Sequence, residues 1–177
     1  MKYYFDTDCL SAFLWSNALD ILERLYGGSM IIPDQVYQEL SNPRVPHLKK
    51  RTDAMIEKQS VALKTMETGT EEYQLYRRLI KGNTSNKAIG KGEAAAIVLA
   101  YTYKGVLASN NYRDIAFYIE TYQLPHIDTG TILVEALHKK IITEPDGNAI
   151  WQRMLDRNRK LPAENFFEYL KKMRAFH

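Results

Sequence analysis

The chain has 177 residues, of which 45% are hydrophobic and 25% charged, so a disordered chain is excluded and one domain with a substantial core is expected. A single cysteine excludes a disulfide framework, and four scattered histidines leave no ligand spacing for a zinc or iron–sulfur centre. The net charge of +3 is concentrated in residues 151–177, which hold seven Lys and Arg against three Asp and Glu. Such an excess either binds a polyanion or keeps a surface hydrated, and charge alone leaves both interpretations open.

No apolar run in the sequence is long enough to cross a membrane, and the first residues lack the apolar core of a secretory signal. We therefore expect a soluble, cytoplasmic protein without a membrane partner. The sequence also contains no internal repeat and no linker-like segment, which predicts a single domain.

Short apolar segments alternate with helical patterns along the chain, which predicts an α/β fold with a central parallel β-sheet flanked by helices. The predicted strands cover residues 3–5, 30–32, 61–64, 106–108 and 126–127. The predicted helices cover residues 7–26, 34–40, part of 41–60, 71–80, 92–100, 114–122 and 131–139, and residues 82–92 form a polar loop. Extra C-terminal helices are predicted from residue 146 onward, so we divide the chain into a core over residues 1–142 and a helical extension over residues 143–177 that packs on it.

Three of the predicted strands end in polar side chains. Asp6 follows the first strand, Ser109 begins a polar Ser-Asn-Asn run after the fourth, and Asp128 follows the fifth. Ligands of open parallel sheets bind at the carboxyl ends of the strands, close to the point where the strand order reverses. We therefore expect these strand ends to lie together, although a helix-capping role explains Asp128 equally well.

Further acids lie on the predicted helices. Glu39 precedes Leu40 on the edge of an apolar helix face, and Glu93 begins the most apolar helix of the chain. Each acid has a structural explanation by itself, since Asp6 and Asp114 can cap helices and Glu93 can complement a helix dipole. Four carboxylates at one sheet edge repel each other unless a cation neutralises them. Oxygen ligands without histidine or thiolate suit Mg²⁺ or Mn²⁺, which activate water for phosphodiester hydrolysis.

Five short motifs occur in a specific order along the chain. They are DTDCLS (6–11), IIPDQVYQEL (31–40), GKGEAAAIVLA (90–100), LASNNYRD (107–114) and DTGTILVEALHKK (128–140). Together they resemble the PIN-domain family, particularly the VapC-like toxin endoribonucleases, over about residues 3–142. The resemblance implies a parallel sheet flanked by helices, an acidic cluster that binds Mg²⁺ or Mn²⁺, RNA as substrate and a small antitoxin protein as partner. A homodimer is also compatible with it.

The resemblance assigns site residues position by position. Asp6, Glu39 and Glu93 match three acids of the family. Some members carry an Asp directly after the fourth strand, where this chain has Asn111, whereas others have Asn there and an acid three residues later, as with Asp114 here. We therefore predict Asp6, Glu39, Glu93 and Asp114 as catalytic residues, with Asp6, Glu93 and Asp114 as metal ligands.

Residues around these acids receive supporting roles. Those predicted to orient the carboxylates are Thr7, Asp8, Ser109 and Asn111, and those predicted to guide the RNA backbone are Lys87, Lys91 and Arg113. The rival hypothesis is a catalytically silent PIN-like module that binds RNA or a protein partner through the same surface. Asn111 favours this rival because it replaces an acid, whereas the four remaining acids favour an enzyme.

Overall fold

A computed structural model describes residues 1–82 and 87–175 of the chain, the last two by their backbone alone. Part of the predicted polar loop, residues 83–86, therefore lies outside the described residues. Five strands form one sheet: β1 (Tyr3–Phe5), β2 (Met30–Pro33), β3 (Val61–Lys64), β4 (Val106–Ala108) and β5 (His126–Ile127). All neighbouring strands are parallel and their order is β3-β2-β1-β4-β5, so the predicted fold class is confirmed.

Helices cover both faces of this sheet, as expected for parallel strands that are buried on each side. They are α1 (Thr7–Ser16), α2 (Leu19–Tyr26), α3 (Asp34–Leu40), α4 (Pro46–Glu57), α5 (Glu71–Lys81), α6 (Lys91–Thr102), α7 (Tyr112–Tyr122), α8 (Thr129–His138), α9 (Glu144–Asp156) and α10 (Phe166–Ala175). Within the described ranges, no helix is long and apolar enough to cross a membrane.

The single helix predicted before the glycine pair is wrong, because the structure divides it into α1 and α2. Asn17 ends α1 with a left-handed φ of 55°, a conformation that Asn tolerates better than most residues. Leu14 on one side of the break and Leu22 on the other are both buried. The apolar periodicity therefore continues across a break in the backbone, and for this reason the pattern suggested one helix.

Two hydrophobic clusters, one of which contains α6, form the core. Residues 94–100 of α6 are fully buried, which agrees with a helix that is apolar all round. This helix contacts α3, α5 and the strands β1, β2 and β4. Because its whole body is enclosed, its first turn is held in a fixed position beside the sheet.

The helices after residue 142 belong to the other cluster. Trp151 of α9 is fully buried, and its indole N–H donates to the Ala163 carbonyl at 3.0 Å. Phe166 of α10 packs so closely on Gly147 that a Cβ there would lie 2.4 Å from the ring. Since α9 contacts α1 and α10 contacts α8, the extension packs on the sheet-containing part of the chain.

Candidate active site

The carboxyl ends of β1 and β4 come together at one edge of the sheet. β1 and β4 are paired neighbours, and the Asp6 amide continues the pairing by donating to the Ala108 carbonyl at 3.0 Å. The strand order reverses between these two strands, since the chain builds outward from β1 to β3 and then returns through β4 to β5. The edge therefore has the topology at which parallel sheets bind ligands.

Asp6 is the most enclosed acid at this edge. Its Oδ1 accepts a hydrogen bond of 2.7 Å from the Cys9 amide and so caps α1. Its Oδ2 is buried and has no hydrogen-bond partner in the described structure. The pKa of Asp6 is raised to about 7, mainly by burial and also by the charges of Asp8 and Glu93, while the nearby Ser109 hydroxyl and the Cys9 amide act to lower it.

The Ser109 hydroxyl lies near the Asp6 carboxylate without the geometry of a hydrogen bond to Oδ2. A buried carboxylate oxygen without a donor destabilises a folded protein. A cation would relieve that penalty.

Glu93 is half-buried in the first turn of α6. Its Oε2 accepts a hydrogen bond of 3.2 Å from the amide of Gly90, the N-cap residue of α6. Its Oε1 accepts from Asn111 Nδ2 at 2.8 Å. Burial raises the pKa of Glu93, and the charges of Asp114 and Asp8 act in the same direction, whereas its two hydrogen bonds lower it. The carboxylate is thus oriented from two sides and remains within the electrostatic reach of other acids.

Asn111 joins two of the predicted acids through one nitrogen atom. Its Nδ2 donates to Glu93 Oε1 at 2.8 Å and to Asp114 Oδ2 at 2.7 Å. Asn111 occupies the N-cap position of α7, yet its side chain does not cap that helix. The opposite amide orientation would place an oxygen against two carboxylates, so the nitrogen must face them. Asn111 therefore links the carboxylates of Glu93 and Asp114.

Asp114 lies in the first turn of α7 and is exposed. The structure begins α7 at Tyr112, so the predicted helix start at residue 114 is wrong and Asp114 is not its cap. The Asp114 carboxylate instead accepts a hydrogen bond from the Asn111 side chain, which also donates to Glu93. By contrast, Asp128 does cap a helix, since its Oδ1 accepts from the Thr131 amide at 2.7 Å.

Glu39 is exposed on α3 and is held by two donors from other helices. The Thr7 hydroxyl donates to Oε2, and the Gly92 amide donates to Oε1 at 3.0 Å. Gly92 must lack a side chain, because a Cβ there would lie 2.6 Å from Thr7 Oγ1 and 2.7 Å from Glu39 Oε2. This contact joins the first turns of α1 and α6 to α3, immediately beside Glu93.

An open cleft of about 430 Å³ contains part of the predicted site. Its lining consists of three acids, three bases and three amides: Asp8, Glu93, Asp114, Arg113, Arg159, Lys160, Asn110, Asn111 and Asn158. Lys87 and Lys91 are exposed but do not line this cleft. A larger cavity of about 660 Å³ lies at the amino ends of β4 and β5 and contains none of the predicted residues, so its size does not make it the site.

Sequence reasoning did not assign a site role to the residues 158–160 that line this cleft. Their signal was the basic excess of residues 151–177, whose alternatives stayed open on charge alone. Within the cleft, Arg159 Nη1 lies 3.4 Å from Asp8 Oδ1. The C-terminal extension thus contributes side chains to the edge of the sheet that carries the acids.

The donor set agrees in kind with a hard divalent cation, since carboxylate oxygens are the ligands that Mg²⁺ and Mn²⁺ prefer. The unpartnered Asp6 Oδ2 is the atom that most requires a positive charge. Across residues 1–82 and 87–175, however, no three Asp, Glu, His or Cys side chains already surround one point as metal ligands. Asp6, Glu93 and Asp114 therefore suit a metal by the chemistry of their oxygens, while in the described residues they do not form a closed ligand set.

The DUF3368 family model, which describes a PIN domain, matches residues 2–175 of this chain. The match includes the C-terminal extension as well as the region of the five motifs. No curated protein matches the sequence.

Proposed function

Because the chain belongs to the PIN-domain family, whose members are generally nucleases that use divalent metal ions, we propose that it is a Mg²⁺- or Mn²⁺-dependent endoribonuclease. The observation that carries the proposal is the buried Asp6 Oδ2, which has no hydrogen-bond donor among the residues that the structure describes. A purely structural acid would be satisfied at this depth.

The proposed metal ligands are Asp6, Glu93 and Asp114. A bound ion activates a water molecule for attack on the phosphate and neutralises charge that develops on its oxygens. Asn111 holds the carboxylates of Glu93 and Asp114 on either side of its amide nitrogen. Ser109 directly follows β4 and lies near Asp6, and its lowering effect on the pKa of Asp6 favours the ionised form that a metal requires.

Glu39 is proposed as the fourth catalytic acid, with a role that its contacts make distinct. Thr7 and the Gly92 amide orient its carboxylate beside the first turn of α6. Because these contacts join α3 to the first turns of α1 and α6, Glu39 is proposed to fix α6 beside the site or to orient water. Asp8, at the rim of the cleft, adds negative charge near Glu93.

RNA is the proposed substrate, and three cations are proposed to guide its backbone. Arg113 lines the cleft beside Asp114. Lys87 precedes α6 and Lys91 is its first residue, and both lysines are exposed. A cluster of acids repels a polyanion, so nearby cations are needed to bring a phosphodiester to it.

The experiment is cleavage of a mixed RNA pool and of DNA of the same sequences, with Mg²⁺, with Mn²⁺ and with a chelator. We expect the wild type to cleave RNA only when metal is present, and the Asp6→Asn variant to be inactive. Cleavage that persists in the chelator contradicts the metal dependence. Binding of RNA without cleavage under every condition supports the silent-module hypothesis instead.

We further propose that the nuclease is the toxin of a toxin–antitoxin pair, with a small antitoxin protein as partner. The support is the resemblance of the five motifs to VapC-like toxins. Induced expression of the wild type should arrest bacterial growth, and expression of Asp6→Asn should not. Co-expression of a small protein encoded next to the gene should restore growth. Size measurement of the purified chain tests the proposed homodimer.

A further inference from the structure

The turn after α9 brings two cations into the cleft that holds the acids. Residues 158–160 line this cleft, and they include Arg159 and Lys160. The proposed function assigns roles to the acids and to Arg113, but it assigns none to the residues of this turn. Three acids and three bases in one open cleft form a surface suited to a phosphodiester together with a metal ion.

The backbone of the turn is fixed by α9. Asn158 adopts a left-handed φ of 56°, and its amide donates to the Leu155 carbonyl at 2.8 Å. The Arg159 amide donates to the carbonyl of Met154 at 3.0 Å, and the Met154 side chain is fully buried. The cations therefore extend from a turn that a core helix holds in place, so their position in the cleft is specified by the fold.

The Arg159 guanidinium has weak contacts and unused donors. Its Nε donates to the Arg157 carbonyl at 3.1 Å, and Nη1 lies 3.4 Å from both Asp8 Oδ1 and Ser11 Oγ. In the part of the chain that the structure describes, its Nη2 has no acceptor. Bonds of this length between partly exposed groups are weak, so Arg159 can exchange them for a better partner. A guanidinium binds phosphate through two parallel N–H groups.

We propose that Arg159 and Lys160 bind the phosphodiester backbone of the RNA substrate and hold it against the acids of the cleft. Lys160 is exposed, and in the described structure its ammonium group makes no ion pair or hydrogen bond. The inference rests on the proposed nuclease function for the identity of the ligand. It assigns two cations of the C-terminal basic excess, Arg159 and Lys160, to substrate binding in preference to surface hydration.

Neutral substitutions in the turn test this assignment against a matched control. The variants are Arg159→Gln and Lys160→Gln, and the control is Arg157→Gln, because Arg157 lies above the Trp15 ring at 5.2 Å and does not line the cleft. Binding of a fluorescent single-stranded RNA is measured over a range of salt concentrations in the Asp6→Asn background. We expect each cleft variant to weaken binding roughly fivefold and to lower the salt slope by about 1, with no change for the control.

Kinetics of cleavage in the otherwise wild-type chain form the second arm. We expect Arg159→Gln to raise KM for RNA more than it lowers kcat. The Arg159→Lys variant should keep the salt slope but recover only part of the affinity, because an ammonium group lacks the planar fork. Thermal unfolding of each variant establishes that the fold is intact.

Two results overturn the inference: binding by Arg159→Gln equal to that of Arg157→Gln, or faster cleavage by Arg159→Gln at unchanged affinity. The second result would mean that Arg159 restrains Asp8 and does not bind RNA. A wild type that never cleaves, but whose RNA binding depends on Arg159, refutes the nuclease proposal and leaves the phosphate-binding turn standing. Equal RNA binding by Arg159→Gln and Arg157→Gln, found together with metal-dependent cleavage of RNA by the wild type, refutes only the turn and leaves the nuclease proposal standing.

Discussion

The buried side of the candidate site and its exposed side hold their carboxylates by different means. Asp6 is enclosed at a strand end, where a backbone amide fixes one oxygen and the other has no donor within the described ranges. Asp114 is exposed on a helix, where the Asn111 side chain is its one hydrogen-bond partner among the described residues. Backbone contacts persist when side chains change, whereas side-chain contacts can be altered without disturbing the fold. Charge at Asp6 should therefore affect stability and activity together, and charge at Asp114 should affect activity alone.

The Asp114→Asn variant distinguishes the exposed side of the site from the buried side most clearly. We expect cleavage to fall roughly a thousandfold, because a negative ligand is lost, while the free energy of unfolding changes by less than about 0.5 kcal/mol, as for other exposed sites. Cleavage rates and urea unfolding measure the two quantities. Asn111→Ala is the matched control, and its rate should fall much less because it removes orientation and no charge. Full activity of Asp114→Asn would show that this acid is not a ligand.

Metal binding should stabilise the protein through the buried side. An ion that binds only the folded chain at 100 times its Kd raises the free energy of unfolding by about 2.7 kcal/mol. We expect Mg²⁺ or Mn²⁺ to raise the Tm of the wild type, and Asp6→Asn to lose most of this shift. Asn can still accept the Cys9 amide, so the α1 cap is kept as an internal control. A wild-type Tm that does not respond to millimolar metal would contradict the site.

The pH dependence of stability should also distinguish Asp6 from the exposed acids. Its pKa is raised to about 7 in the folded chain, so the folded state holds this proton more tightly than the unfolded state. The resulting stabilisation is present at low pH and is lost as the pH rises toward and through 7. Without metal, the wild type should lose about 2–3 kcal/mol between pH 5 and pH 8 relative to Asp6→Asn. Parallel stability curves for the two proteins would show that the folded pKa of Asp6 is not raised.

A smaller effect tests the close contact of Gly92 with Thr7 and Glu39. Gly92→Ala should destabilise the fold by about 2 kcal/mol, because the new Cβ overlaps Thr7 Oγ1 and Glu39 Oε2. Adding Glu39→Ala removes one of the two obstructing groups, so the double variant should be less destabilised than the sum of its parts. Denaturant unfolding of the single and double variants measures this coupling. Simple additivity would mean that Gly92 and Glu39 do not interact.

The parts of the site that are encoded locally could be predicted from the sequence. Asp6 follows an apolar strand directly, and Glu93 begins a helix whose small apolar residues require burial on every side. Parallel topology then implies that the ends of β1 and β4 share one edge. These inferences need only periodicity and the geometry of α/β sheets.

Contacts between distant parts of the chain could not be predicted in the same way. The donors to Glu39 lie 32 and 53 residues away, and the Asn111 amide meets a carboxylate 18 residues earlier in the chain. Arg159 approaches Asp8 across 151 residues because Trp151 and Met154 direct how α9 packs. Such pairs depend on how helices pack in three dimensions, which composition and local periodicity do not specify.

The helix α9 therefore contributes both to the hydrophobic core and to the position of a side chain in the cleft. Its Trp151 fills the core, and the turn that follows its last residue carries Arg159 into the cleft. A substitution that shifts the indole would also move the guanidinium, so the proposed RNA binding and the folding of the chain depend on the same helix. Relatives that alter this helix should change their substrate preference and their stability together. The extension then cannot be exchanged between relatives as an independent module.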